Sequence, residues 1–257
     1  MEQNFRFTQQ ANQFKGECLP CTAAQFKTIV TSAMVDRNIS TRQAVDKAIS
    51  DLQPLDAWGN DCNFRKFCMD QGQRPKGGAD FMALPVETKL LQWTNSLKMW
   101  LPCFIFAVRE FEAVPKTDKQ GNPVTDSEGN PVLFRRRLQP NIKELSGLFM
   151  FDADHLPCDP REVFERTRRK NFPWAVRLAH CTSSGFGLRL VGEARPDVGN
   201  IADNQIELAR ELGLLGMKGT TGKPVTDNSC VDASRISYAP RMKDIYFIDE
   251  DHLFNYY

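Results

Sequence analysis

The chain has 257 residues, of which 41% are hydrophobic and 25% charged, and its 33 Lys and Arg residues nearly balance 32 Asp and Glu residues. A chain of this length and apolar content can bury a substantial core, which excludes wholesale disorder. The formal net charge of +1 excludes a general attraction to nucleic acid or membrane, so any polyanion contact must come from a local basic patch.

The N-terminus and the cysteines predict a cytoplasmic protein. Residues 1–6 lack the basic start and apolar run of a signal peptide, and no stretch of the chain has the length needed to cross a bilayer. We therefore expect no membrane association. The eight cysteines lie in a chain too long to need disulfides for folding, so reduced thiols are expected. Cys18 and Cys21 with Cys62 and Cys68 have a spacing that disfavours a zinc site.

The hydrophobic pattern changes near residue 100. Before it, apolar residues recur at helical spacing from position 26 to 34, and residues 86–100 predict another helix. Ser40 or Thr41 can cap a helix that runs to Leu52, and a basic Gly- and Pro-rich loop is predicted at residues 71–80. We therefore expect a helical N-terminal lobe at residues 1–100.

Residues 101–257 alternate strand-like and helix-like patterns, which predicts an α+β fold with a second domain over this range. Strands are predicted near residues 103–108, 148–154, 174–178, 188–191, 235–238 and 244–248, and helices near residues 160–170 and 202–212. Residues 120–131 contain Gly-Asn-Pro twice and predict an exposed hairpin insertion rather than a structural repeat.

The first chemical motif is Asp152 and Asp154, which follow the apolar run Leu-Phe-Met-Phe. Two residues apart on a strand, the side chains point to one face and their oxygens can converge. Neighbouring carboxylates repel unless a cation lies between them, and hard oxygen ligands suit Mg²⁺ or Mn²⁺. The alternative is an acidic strand end that has reached solvent.

The second motif is Thr-Ser-Ser-Gly-Phe-Gly-Leu-Arg at residues 182–189. The small residues Ser183, Ser184, Gly185 and Gly187 let backbone N–H groups approach an anion closely. The forked guanidinium of Arg189 can reach the same anion, which favours phosphate as the ligand. The alternative is a tight turn between strands with Arg189 in solvent.

The third motif places acidic groups at Asp227 and Asp232 before Arg235 and a β-rich segment. Asp232 is the preferred third metal ligand, and Asp227 is the alternative. Asp232 can equally form an Asx turn or a helix cap, and Arg235 can form a surface ion pair.

The order of the three motifs resembles the archaeo-eukaryotic primase superfamily, in particular the primase-polymerase branch of bacterial mobile elements described as VirE N-terminal-like. The similarity covers roughly residues 101–254. It implies a palm-like catalytic core with an RRM-like sheet, in which Asp152 and Asp154 bind catalytic metal and Asp232 matches the third acidic position. The second motif of the superfamily usually ends in a histidine that contacts nucleotide phosphates, whereas this chain has Arg189.

The resemblance implies a primase-polymerase that performs two-metal nucleotidyl transfer with Mg²⁺ or Mn²⁺. Arg189 and Arg235, with backbone N–H groups of residues 184–187 and a hydroxyl of Ser183 or Ser184, would hold the triphosphate. The basic residues 135–137 and 166–170 and the ring of Trp174 are candidates for template contact.

The implied partners are nucleoside triphosphates, a single-stranded DNA or RNA template, and a helicase or other replication protein of a mobile element. Two other classes stay open. One is a non-catalytic nucleic-acid-binding module of a mobile element. The other is a metal-dependent nuclease, since clustered aspartates also serve phosphodiester hydrolysis. The Ser-Gly segment with Arg189 favours a triphosphate over attack by water.

Overall fold

The computed structural model describes residues 4–50, 85–226 and 231–255 of the chain. The strands are β1 (Thr8–Gln10), β2 (Leu19–Pro20), β3 (Cys103–Ile105), β4 (Val108–Phe111), β5 (Ala113–Pro115), β6 (Leu133–Arg135), β7 (Ile142–Leu145), β8 (Leu148–Ala153), β9 (Val176–Cys181), β10 (Leu188–Glu193), β11 (Ser237–Tyr238) and β12 (Ile245–Ile248). The helices are α1 (Ala23–Val30), α2 (Ala33–Ser50), α3 (Val86–Met99), α4 (Pro160–Glu165), α5 (Ile201–Glu211) and α6 (Glu250–Phe254). This mixture of helices and antiparallel sheets is compatible with the predicted α+β class.

Local sequence signals account for most helix starts. Thr22 and Gln25 form a capping box at α1, since each side chain accepts a hydrogen bond from the other residue's backbone N–H. The predicted helix start at Ser40 or Thr41 is wrong, because α2 runs through both positions. The hydroxyl of Ser32 accepts a hydrogen bond from the N–H of Val35 at the true start of α2.

Two four-stranded antiparallel sheets form the framework. Sheet 1 has the strand order β11-β3-β1-β2, and sheet 2 has the order β12-β9-β10-β8. In sheet 2, Asp152 on β8 lies opposite Arg189 on β10, which in turn lies opposite His180 on β9. Directly opposed residues of an antiparallel pair point to the same face, so these three side chains form a row across the sheet.

The two faces of sheet 2 pack into different core clusters. Alternate residues of β8 separate the faces, with Leu148 and Met150 in one cluster and Phe149 and Phe151 in the other. The first cluster also contains Phe7 of the N-terminal segment and residues of α1 and α2. The second contains residues of α4 and α5.

The predicted division at residue 100 stays a prediction, but the described residues on its two sides are closely joined. Strand β1 pairs with β3 in sheet 1, and Phe7 and Phe26 share a core cluster with Leu178 of β9. The N-terminal part also contains the strands β1 and β2, which the helical pattern did not indicate. The predicted loop at residues 71–80 lies outside the described residues.

The predicted hairpin insertion is present as the strand pair β5–β6 with two turns between the strands. The carboxylate of Asp118 accepts hydrogen bonds from the N–H groups of Gln120 and Asn122, and Asp126 does the same for Glu128 and Asn130. The two Gly-Asn-Pro stretches therefore form two similar exposed turns within the predicted hairpin insertion.

The described cysteines are free thiols: Cys18, Cys21, Cys103, Cys158 and Cys181. Cys18 and Cys21 are buried in two different core clusters, and burial raises the pKa of Cys18 to about 12. Cys62 and Cys68 lie outside the described residues. None of the described helices combines the length and apolar character needed to span a bilayer.

Candidate functional site

The first two motifs meet at the end of sheet 2. The guanidinium of Arg189 donates from Nη2 to Oδ2 of Asp152 and from Nη1 to the hydroxyl of Ser237 on β11, the latter at 3.2 Å. Asp152 is 4% exposed and Arg189 is 8% exposed. The predicted phosphate-binding arginine is therefore joined to the predicted metal ligand by a buried ion pair.

Asp152 has one oxygen that the ion pair does not use. Its Oδ1 is buried and has no hydrogen-bond partner among the described residues. A buried acceptor left without a partner is unfavourable and is uncommon in proteins. This oxygen is the position on β8 where a cation would find an uncompensated ligand.

Asp154 lies one residue beyond the end of β8 and is partly buried. Burial raises the pKa of its carboxyl, and the negative charge of Asp152 raises it further, while Arg189 and Lys98 oppose the shift. Its side chain also contacts the second motif closely, since a Cβ at Gly187 would lie 2.8 Å from Oδ1 of Asp154. Glycine is therefore required at position 187 for the two motifs to approach each other.

The Ser-Gly loop, residues 182–187, is closed by its own hydrogen bonds. The N–H of Thr182 donates to the carbonyl of Gly187 at 2.9 Å, and the N–H of Gly185 donates to the carbonyl of Thr182 at 2.9 Å. Gly185 has a φ of +87°, a conformation that favours glycine. The N–H of Phe186 donates to the hydroxyl of Ser184 at 3.4 Å. Two N–H groups of the predicted phosphate cradle, those of residues 185 and 186, are thus engaged within the loop.

The third motif reaches the site through residues other than Asp232. The carboxylate of Asp232 accepts hydrogen bonds from the N–H and the hydroxyl of Ser234, both at 2.8 Å, which is the Asx-turn alternative. Within residues 4–50, 85–226 and 231–255, no group of three or more His, Cys, Asp or Glu side chains is arranged to hold a metal ion. The structure does not bring Asp232 together with Asp152 and Asp154, and its role as third ligand stays a prediction.

Residues at both ends of the undescribed segment 227–230 nonetheless lie close to Asp152. Asp227, the alternative third ligand, lies outside the described residues. The residue before it, Thr226, forms a β-bridge with Ala153, and Thr226 and Val231 line a cavity of about 60 Å³ together with Asp152. Arg235 donates its backbone N–H to the carbonyl of Asp232.

Two cations from the N-terminal helices complete the site, and sequence analysis missed both. Nη1 of Arg42 on α2 donates to the hydroxyl of Ser183 at 3.0 Å. Nζ of Lys98, near the end of α3, lies 5.1 Å from the centre of the Tyr238 ring. Burial is the main cause that lowers the pKa of Lys98, followed by the charges of Arg42 and Arg189, and the two aspartates oppose the shift. Neither residue belongs to a sequence motif, so only tertiary contacts identify them.

The charges of the protein around the site balance. Arg42, Lys98 and Arg189 are cationic, and Asp46, Asp152 and Asp154 are acidic, with Asp46 paired to Arg42 at 3.4 Å. A divalent cation on Asp152 and Asp154 would make the site net positive. Such a site would then be complementary to a triphosphate.

His180 is a buried neutral neighbour of Arg189. Its Nδ1 donates to the carbonyl of Cys181 at 2.8 Å, and its Nε2 has no hydrogen-bond partner among the described residues. Burial, assisted by the positive charge of Arg189, lowers the pKa of His180 to about 4. The ring is therefore uncharged at neutral pH.

The basic clusters predicted to contact a template are largely used inside the molecule. Arg135 pairs with Glu17, Arg137 donates to the carbonyl of Ser234, and Arg169 pairs with Glu211. Trp174 is 5% exposed and packs against Phe149, so the expectation that its ring contacts a template is wrong.

Comparison of the chain with protein-family models, with curated proteins and with solved structures found no significant match. The function must therefore be inferred from the geometry of the site and from the resemblance of its motifs.

Proposed function

We propose that this protein is a primase-polymerase, a nucleotidyltransferase that builds or extends a strand on a single-stranded template. The proposal is supported chiefly by the convergence of the first two motifs at one end of sheet 2. Asp152 lies opposite and bonded to Arg189, and Asp154 touches the backbone position of Gly187. Metal ligands and phosphate-binding groups must be neighbours in this chemistry.

The two carboxylates fit a magnesium or manganese ion. Mg²⁺ is commonly held by one or two carboxylates, with water and substrate phosphates completing its shell. The unpartnered Oδ1 of Asp152 and the carboxylate of Asp154 supply ligands of this type. When bound, such an ion would neutralise charge on the triphosphate and favour ionisation of the attacking hydroxyl.

The other side chains of the site would bind and orient the nucleotide. Lys98 and Arg42 would attract the phosphates, and Arg189 would hold Asp152 in position while facing the same ligand. The partners that follow are nucleoside triphosphates, a single-stranded template, and a helicase or related replication protein.

One observation favours a second candidate, a nucleic-acid-binding module without catalysis. Arg189 already neutralises Asp152 through a buried ion pair, and such a pair needs no metal. The two candidates differ in whether the carboxylates are required for chemistry.

The test is extension of a labelled primer on a single-stranded template with all four deoxynucleotides and Mg²⁺ or Mn²⁺. We expect products longer than the primer, and we expect Asp152→Asn and Asp154→Asn each to lower the rate on the order of 100-fold or more. The matched control is Glu112→Gln with Glu128→Gln, which removes two exposed carboxylates elsewhere.

Each other outcome contradicts the proposal in a specific way. Shortened primers that depend on Asp152 would indicate a nuclease. Template binding without any change of primer length would indicate the binding module. Extension that survives both asparagine substitutions would show that these carboxylates are not catalytic.

A further inference from the structure

The Ser-Gly loop separates the carboxylates from a second concave surface. Position 187 of the loop meets Asp154, whereas a Cβ at Gly185 would lie 3.3 Å from the side-chain nitrogen of Gln43 on α2. Between this loop, α2 and the segment leading into β12 lies a groove of about 550 Å³. Six residues that line this α2 groove are Gln43, Lys47, Phe186, Arg241, Lys243 and Tyr246.

Arg241 fixes the walls of the α2 groove. The residue is 7% exposed and donates to the hydroxyl of Ser40 at 2.8 Å and to the side-chain oxygen of Gln43 at 2.7 Å. The same guanidinium bonds Asp244 at 2.6 Å. These hydrogen bonds join helix α2 to the segment that leads into β12, and they fix the two walls of the groove relative to each other.

The α2 groove has an excess of positive charge. The lining contains three basic residues, Lys47, Arg241 and Lys243, and one acidic residue, Asp244, which pairs with Arg241. Nζ of Lys243 is 3.4 Å from Asp36, but both side chains are more than half exposed, and an ion pair of that kind is weak. An anionic ligand can therefore compete for it.

Phe186 adds an exposed ring to this basic groove. It is 54% exposed, yet its backbone is held on both sides. The N–H of Leu156 donates to the carbonyl of Phe186, and the N–H of Phe186 donates to the hydroxyl of Ser184. A single exposed phenylalanine is common on protein surfaces. A ring held on a closed loop beside two lysines, however, has the chemistry of a stacking platform with phosphate contacts.

We propose that the α2 groove binds single-stranded nucleic acid, with backbone phosphates on Lys47 and Lys243 and a base stacked on Phe186. This inference rests on the proposed function in one respect, since it identifies the bound strand as the template. The binding itself requires neither metal nor nucleotide.

The experiment is fluorescence anisotropy of a labelled single-stranded oligo(dT) in EDTA without nucleotides. We expect Lys47→Gln with Lys243→Gln to weaken binding and to lower the slope of log affinity against log salt by about 1.4, because two phosphate contacts are lost. Phe186→Ala should weaken binding roughly tenfold, with no effect on an abasic strand of equal length. The controls are Lys119→Gln with Lys143→Gln, and Leu133→Ala, an exposed apolar residue outside the groove.

Several results would overturn this assignment. If the groove variants bind the oligonucleotide as tightly as the unchanged protein, the groove does not bind the strand. The same conclusion follows if the control variants lose as much affinity as the groove variants. If a saturating nucleoside triphosphate displaces the oligonucleotide, the groove is a nucleotide-binding site instead. Asp154→Asn, which leaves the ion pair between Arg189 and Asp152 intact, should bind the strand normally, so failure of the polymerase proposal and failure of this one are distinguishable.

Discussion

The two oxygens of Asp152 have different surroundings, and this difference decides what the residue can do. Oδ2 receives a hydrogen bond from Arg189, while Oδ1 is buried with no hydrogen-bond partner among the described residues. The ion pair offsets part of the desolvation of both charges, and the remaining oxygen can accept a cation. We therefore propose that this carboxylate combines a structural role in the ion pair with a role as metal ligand.

Removing one member of this ion pair should destabilise the protein more than removing both. Arg189→Met leaves a buried aspartate without its counter-ion, and we expect a loss of about 3 to 5 kcal/mol in the free energy of unfolding. The double variant Arg189→Met with Asp152→Leu should recover most of that loss. Urea denaturation of the three proteins measures this, and equal losses in the single and double variants would contradict the buried pair.

His180 should make stability depend on pH. Its pKa is about 4 in the folded state, below the value of 6.5 for a free histidine, because burial and Arg189 disfavour the charged ring and Asp152 offsets this only partly. As the pH falls below 6.5 the unfolded chain takes up a proton that the folded chain does not. Stability from this group is therefore fully present above pH 6.5 and is lost progressively towards pH 4, by about 3 kcal/mol.

The measurement is the free energy of unfolding in urea between pH 7 and pH 4.5. We expect the decline to be smaller in His180→Gln than in the unchanged protein. An identical decline in both proteins would show that other groups cause it. His252→Gln is the matched control, because that ring is about half exposed.

At the scale of elements, the N-terminal helices serve the site directly. Helix α2 places Arg42 against Ser183, and α3 ends one residue after Lys98. The Ser-Gly loop is thus held between sheet 2 and α2. These elements bring to the carboxylates two cations that lie far from them in the chain.

Substituting Lys98 should change the affinities for metal and for nucleotide in opposite directions. Lys98→Met keeps the length of the side chain but removes a positive charge near Asp152 and Asp154, so Mn²⁺ should bind severalfold more tightly. A triphosphate should bind roughly tenfold more weakly, because it loses an attractive charge. Calorimetric titration of each ligand tests this, with Lys27→Met on α1 as the control. Parallel changes in both affinities would indicate only a structural role.

At the scale of the whole molecule, the first residues of the described chain join both sheets. The ring of Phe7 contacts Phe104 and Phe106 near β3, Phe26 on α1 and Phe254 on α6. Beside it, Arg6 forms an ion pair with Glu193 at 2.5 Å. The N-terminal segment is therefore part of the core that supports sheet 2.

The shared core predicts cooperative unfolding. Phe7→Ala should lower the free energy of unfolding by about 3 to 5 kcal/mol, because it leaves a cavity between the sheets. Far-UV circular dichroism and tryptophan fluorescence should report one coincident transition. Phe14→Ala, at a ring that is 59% exposed, should change little. Two transitions, of which Phe7→Ala shifts only one, would instead support a separately folding lobe at residues 1–100.

Local pattern was sufficient for the elements that carry the first two motifs. The apolar run before Asp152 predicted β8, and the helix predicted at 202–212 is observed at 201–211. The strands predicted at 174–178 and 188–191 are observed at 176–181 and 188–193, so their presence was predicted better than their ends. Period-two and helical spacing are properties of the sequence itself, which is why they can be identified without coordinates.

The contacts that define the candidate site were decided by tertiary structure. The bond between Arg189 and Asp152, the approach of Arg42 to Ser183 and the burial of Trp174 each join or enclose residues distant in the chain. Such contacts depend on how whole elements pack, and residue spacing does not encode them. The amino-acid sequence alone thus identified Asp152, Asp154 and Arg189 as candidates to bind metal and phosphate, whereas packing determined which of these groups face one another and added Arg42 and Lys98 to the site.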